Sequence, residues 1–227
     1  MEFFNVSEEW KSAFPGAAAG ILAINGVANP ERHAVLDSLK ADLESRLRDR
    51  YAHLDRAELA ALPNIRAYND YYKRFKKTFH VQLQLESLIL KGKPIPSVAA
   101  LVEAMFMAEL ENLLLTAGHD LEAIDAPIHL DIARGDESYI LLRDQEQVLK
   151  AGDMLMADRQ GIISSVLYGP DLRTRITPQT SRALFAVYAP AGIGEQAVLQ
   201  HLHSIQSYVR VIAPDSSVIS LEVYGAP

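Results

Sequence analysis

A long, nearly unbroken apolar run lies within residues 92–120, GKPIPSVAALVEAMFMAELENLLLTAGHD. Pro94 and Pro96 cannot sit inside a helix, Ser97 is a suitable N-cap, and Gly118 offers a left-handed stop. The pattern therefore predicts one helix over about 97–118. Helical spacing puts Val98, Leu101, Val102, Met105, Glu109, Asn112 and Thr116 on one face, with Phe106, Leu110 and Leu113 on another. No polar stripe is wide enough for a surface helix, so this one is expected to be buried.

The chain before it reads mainly as helix. Residues 7–14 form a short helix capped by Ser7, and 16–25 (GAAAGILAIN) read as a buried strand ending at the Asn25-Gly26 turn. Over 31–62 Val35, Leu39, Leu43 and Leu47 recur at helical spacing until Pro63 breaks the run. A helix over 64–77 sets Tyr68, Tyr71 or Tyr72 and Phe75 on one side, where they are expected to pack. Lys73, Lys76 and Lys77 take another side, and a short helix over 84–90 leads to Gly92. Beyond residue 120 the period falls to two. Segments 127–133, 138–142, 154–157, 162–167, 183–189 and 218–224 read as strands, with a helix over 194–210. This is an α+β pattern: a helical N-terminal half and a β-rich C-terminal half around one buried helix. One domain is expected over 1–227, in which an N-terminal strand and helical extension (1–62) precedes a core (63–227).

Composition narrows the chemistry. The chain has 227 residues, 49% hydrophobic and 22% charged, in the ordinary globular range. With no cysteine, disulfides, thiol nucleophiles and thiolate metal sites are excluded. The opening MEFFNVSEEW does not read as a signal peptide, and Glu103, Glu109 and Glu111 interrupt the best candidate span, so a cytoplasmic protein without membrane contact is expected. A net charge of −7 argues against a general nucleic-acid binder. Yet residues 66–93 carry seven lysines and arginines against Asp70 and Glu86, a local net of +5. Lys73, Lys76, Lys77, Lys91 and Lys93 are thus candidate contacts to an anionic partner, although a lysine-bearing helix face is more often just a solvated one.

Among candidate reactive groups, Glu109 projects from an apolar stripe with Asn112 and Thr116 beyond it. It either pairs with an arginine in the core or points into a pocket. His119, beside Asp120 just past the helix, is a candidate general base. His201 and His203 are two apart on a helix and point away from each other, which is poor metal geometry. No metal site, cofactor fingerprint or nucleophile elbow is apparent. Arg173 and Arg175 alternate in sequence and would share a strand face.

Two ordered segments carry a family resemblance. Lys91, Gly92, Lys93, Pro94, Pro96, Val102 and Glu103 resemble the opening of the B3/B4 editing module of the phenylalanyl-tRNA synthetase beta subunit and its free-standing relatives. The small polar pair usual in that family falls here on Phe106 and Glu109. Residues 162–180, IISSVLYGPDLRTRITPQT, resemble its second signature through Gly169 and Thr180, with Pro170 or Asp171 at the acidic position. The resemblance implies a B3/B4-type fold and a trans-acting hydrolase that clears mischarged aminoacyl-tRNA. It further implies a mechanism resting on a positioned water and the tRNA's own hydroxyl, without metal or cofactor. On that reading Glu109, His119 and Asp171 are the catalytic candidates. Asn112, Thr116, Gly169, Arg173 and Thr180 border the substrate, and Lys73, Lys76, Lys77, Lys91 and Lys93 meet the RNA. The alternative is a non-catalytic module that binds an amino-acid-like small molecule.

Overall fold

A computed structural model describes residues 3–227. In chain order the elements are β1 (Phe4–Val6), α1 (Glu8–Ala13), β2 (Ala18–Asn25), α2 (Ala34–Tyr51), α3 (Arg56–Ala60), α4 (Pro63–Lys73), α5 (His80–Lys91) and α6 (Ala100–Asn112). The β-rich half follows with β3 (Thr116–Asp120), β4 (Ile128–Ile132), β5 (Ser138–Ile140), β6 (Glu146–Val148), β7 (Met154–Asp158), β8 (Gly161–Ser165) and β9 (Gly169–Pro170). It closes with β10 (Arg182–Ala189), α7 (Glu195–Ile212) and β11 (Ser217–Gly225), giving an α+β fold.

One sheet is antiparallel, in the order β11-β2-β10-β3. β2 and β10 are its inner strands and are apolar almost throughout, because both of their faces are covered. β2 belongs to the expected N-terminal extension, yet it lies at the centre of this sheet. α7 packs closely on it at Gly20, where a Cβ would meet Val198 Cγ1 at 2.5 Å. A second sheet has the order β1-β4-β7-β8-β9, and β5 and β6 form a separate hairpin.

α4 joins the helices to the strands. Tyr68, Tyr71, Tyr72 and Phe75 are buried. The Tyr68 hydroxyl donates to Tyr188 O, and the Tyr72 hydroxyl donates to Val166 O at 2.7 Å. Tyr71 donates to Asp153 Oδ1 at 2.6 Å, and burial pushes that carboxyl up to about 6.

Several boundaries differ from those the sequence pattern predicts. The buried helix spans Ala100–Asn112, and its left-handed stop is Leu113 (φ 59°) rather than Gly118, which lies inside β3. Ser97 does not cap it. Ala100 N and Leu101 N instead donate to Pro30 O and Asn29 Oδ1, both at 2.9 Å, so distant chain does the capping. Ser97 Oγ receives Lys40 Nζ at 3.1 Å. The same ammonium meets Glu103 Oε2 at 2.9 Å, while Glu103 Oε1 accepts from Val98 N at 2.8 Å. With Glu44 Oε1 accepting from Ile95 N at 2.7 Å, α2 clasps the proline-bearing segment before α6.

The helix expected over 31–62 is two, because Asp55 and Glu58 form a capping box that begins α3. Leu43 and Leu47 are buried as expected and Leu39 is partly so, but Leu36 takes the first inward position in place of Val35, which is 58% exposed. α5 is longer than the expected 84–90, and the β5–β6 hairpin includes a strand the pattern did not show. Arg173 and Arg175 lie in a turn after β9 rather than on a strand face. No helix among the described residues is long and apolar enough to cross a membrane.

Candidate functional site

A half-open cleft of about 500 Å³ lies between α5, α6, the start of β3 and the turn over 169–176. α6 lines it with Val102, Met105, Phe106 and Glu109; α5 contributes His80 and Gln84. Leu115, Thr116 and Gly118 come from the β3 side, and Leu142, Gly169, Pro170, Arg175 and Ile176 close the far wall. The volume suits a small organic ligand. Gly118 is required by the close approach of the walls: a Cβ there would stand 2.9 Å from Ile176 Cδ1 and 3.2 Å from Met105 Sδ.

Glu109 reaches this cleft through the chain reversal at Leu113. The left-handed residue turns the backbone so that Thr116 N donates to Glu109 Oε1 at 2.8 Å. The other oxygen, Oε2, is buried and, among the described residues, has no hydrogen-bond partner and no lysine or arginine in an ion pair with it. Burial pushes its carboxyl up to about 8, against the opposing pull of the Thr116 amide. Gln84 Oε1 is a second buried acceptor without a partner, on the facing helix.

Thr116 faces the opposite way with its hydroxyl, which meets His201 Nε2 of α7 at 2.6 Å. His201 Nδ1 lies 3.3 Å from Asn112 Nδ2, whose amide also donates to Ala108 O at 3.1 Å. Burial drives His201 down to about 3, so it stays neutral and weakly basic. Asn112 therefore ties α6 to α7 and does not line the cleft.

The strand alternation separates the remaining expected residues from Glu109. Thr116 and Gly118 take one face of β3, and His119 takes the other. His119 Nδ1 meets Thr174 Oγ1 at 2.7 Å, and the Thr174 hydroxyl donates to Asp171 Oδ1. Arg173 Nη2 binds Asp158 at 2.8 Å, its Nε lies 3.7 Å from Asp171, and its Nη1 donates to Ala123 O at 2.7 Å. Burial, with the nearby Arg173 charge, pushes His119 down to about 3. Thr180 Oγ1 donates to Asp120 Oδ2 at 2.7 Å and closes its own turn. Glu109, Thr116 and Gly169 thus line the cleft, whereas Asn112, His119, Asp171, Arg173 and Thr180 belong to networks behind it.

The expected RNA-facing lysines also divide. Lys73 is 3.5 Å from Asp70, and Lys76, Lys91 and Lys93 are exposed away from the cleft lining. Lys77 alone is half-buried, with its ammonium 4.3 Å above the Tyr168 ring. Arg175, singled out in the sequence beside Arg173, lines the cleft; His80 and Gln84 line it too and escaped the sequence reading. The signal for these two was their spacing of four, which stacks them on one face of α5. Among the described residues no three His, Asp or Glu side chains gather as a metal site.

No curated protein matches the chain. Among solved structures, it is similar to an N-terminal fragment of the phenylalanyl-tRNA synthetase beta-subunit from Pyrococcus horikoshii, at 14% identity and a TM-score of 0.49. That match covers 95% of this chain and 49% of the other, so this chain spans about half the length of that fragment. The model of the B3/4 domain matches residues 66–221, well over half of the sequence, and the chain belongs to the B3/4 domain family.

Proposed function

We propose that the protein is a trans-acting editing hydrolase, clearing mischarged tRNA in the cytoplasm, with the aminoacyl group held in the Glu109 cleft. Family membership and the sequence resemblance to the synthetase's editing module support a tRNA-related role. The observation that carries the reading is the buried Glu109 Oε2, which has no partner in a cleft of amino-acid size. A buried carboxyl without a cation is costly, and the α-ammonium of an aminoacyl group is the cation it lacks. Gln84 Oε1 supplies a second acceptor for the same group. Apolar Met105, Phe106 and Leu115 leave room for a side chain.

Hydrolysis then proceeds by water. Among the described residues lining the cleft only Thr116 carries a hydroxyl, and that hydroxyl is turned away from the cleft onto His201. Water adds to the ester carbonyl, the bond from carbonyl carbon to ribose oxygen breaks, and that oxygen takes the proton. The cleft contributes orientation by anchoring the ammonium. A panel of aminoacyl-tRNAs tests this: one or a few should lose their amino acid faster than in buffer, and Glu109→Gln should suppress that loss. If no member of the panel is cleared, the hydrolase reading fails.

A second reading is favoured by the placement of His119 and Asp171 behind β3, which leaves His80 and Glu109 as the acid–base side chains lining the cleft. In it the cleft binds a free amino-acid-like molecule and does no chemistry. Thermal-shift titration then shows saturable stabilisation of about 2–3 kcal/mol at a hundredfold excess over Kd, with no turnover on the same panel.

A further inference from the structure

Beside the amino-acid-sized cleft lies a shallower concavity of about 340 Å³, bounded by Lys77, Leu142, Arg143, Tyr168 and Pro170. The two share Leu142 and Pro170, so they are continuous across one rim. Partial burial, and then the nearby Lys150 and Arg143 charges, lower the pKa of the Lys77 ammonium. Arg175, exposed on the cleft wall, extends the same positive rim.

Among the described residues none of these four cations takes part in an ion pair, in a chain whose net charge is −7; Lys150 Nζ donates to Phe75 O at 2.8 Å and Arg175 Nη1 to Leu172 O at 2.7 Å, both backbone carbonyls. The carboxylate that Lys77 does feel, Asp153, is fully buried and already bound by Tyr71. Unpaired like charges held together repel one another, which an anionic partner relieves. The half-buried ring of Tyr168, under Lys77, adds a flat apolar surface among those charges. Cations interleaved with an aromatic ring are the arrangement that neutralises phosphates while stacking an unpaired base.

We propose that Lys77, Arg143, Lys150 and Arg175, set around Tyr168, form the landing surface for a single-stranded RNA end. The phosphates lie on the cations and one base lies against Tyr168, directing the terminal ribose across the Leu142–Pro170 rim into the cleft. This rests on the reading of the cleft as an aminoacyl-ester site. It moves the RNA face away from Lys73, Lys91 and Lys93.

The test is fluorescence anisotropy with a labelled, uncharged single-stranded RNA of roughly ten nucleotides, titrated over a range of salt. Arg143→Gln and Arg175→Gln are exposed changes that leave the fold intact. Each should weaken binding severalfold and reduce the log–log salt slope by about 0.7, the loss of one phosphate contact to a single strand. Tyr168→Ala should weaken binding by roughly tenfold, and Tyr168→Phe should restore it. Lys73→Gln and Lys91→Gln should change nothing.

The proposal is overturned if wild-type protein does not bind the RNA. It is also overturned if the control lysines matter as much as the rim cations, or if a mononucleotide competes as well as the oligonucleotide. A methyl ester of an amino acid, titrated by thermal shift against wild type and Arg143→Gln, whose side chain is outside the cleft lining, reports the cleft alone. Ester binding with no RNA binding defeats the landing surface and leaves the cleft reading standing. Loss of ester binding in wild-type protein defeats the cleft reading, and RNA binding that persists there confined to the rim cations supports the surface.

Discussion

Glu109→Gln provides the most direct physical test of the cleft. The carboxyl titrates near 8 when folded, against an ordinary 4.5 when exposed. Because the folded state holds this proton more tightly, its contribution to stability is complete below the lower value and is lost as pH rises towards the upper one. At about 1.4 kcal/mol for each pH unit between the two values, the loss totals about 5 kcal/mol. Roughly 0.8 kcal/mol has gone by about pH 5 and roughly 4.3 by about pH 8, so about 3.5 kcal/mol disappears between them. Glutamine does not titrate, and every other ionisable group is common to both proteins, including Asp153 near 6 and His201 near 3. Urea unfolding at a series of pH values therefore gives a difference between the two proteins that isolates this residue. The difference should shift by about 3.5 kcal/mol in favour of glutamine from about pH 5 to about pH 8. The variant's constant offset, which includes the unpaired amide it introduces, is immaterial; the slope is what counts. Curves that stay parallel within about 1 kcal/mol would mean that the carboxylate has a partner or is hydrated, and the cleft would lose its missing cation.

Further outcomes follow from the packing. Leu110 of α6 is 2% exposed, and Leu110→Ala should cost about 2–5 kcal/mol by denaturant unfolding. Removing one member of the buried Lys40–Glu103 pair, as in Glu103→Ala, should cost about 3–5 kcal/mol, whereas Lys40→Met with Glu103→Leu should recover most of it, as a double-mutant cycle would show. Gly118→Ala should cost about 1–3 kcal/mol and weaken any cleft ligand, read by calorimetry, since its methyl meets Ile176 and Met105.

The sequence by itself determined most of the element types, though not β6 or the start of β3, and the physical reason is local. Period and punctuation act within a few residues, so the tyrosine face of α4, the strands after residue 120 and the burial of α6 are all legible from spacing. Glu109 was legible for the same reason, as a lone carboxylate on an apolar stripe. Helix ends were less so, because their orphan amides were satisfied from far away in the chain: Asn29 and Pro30 start α6, and no local pattern announces that. Leu113 in a left-handed turn is the same kind of case, since a leucine adopts that strained geometry only where the surrounding fold imposes it.

Only the tertiary structure decided which residues share a cavity. The alternation of β3 sends His119 behind the sheet while Thr116 returns to Glu109, and a one-residue difference in register or helix end exchanges them. Gln84 and Glu109 line one cleft because α5 packs on α6, and Lys77, Arg143, Lys150 and Arg175 come from segments nearly a hundred residues apart. Charge and hydrogen-bond demand are properties of a neighbourhood, and the neighbourhood exists only once the chain has folded.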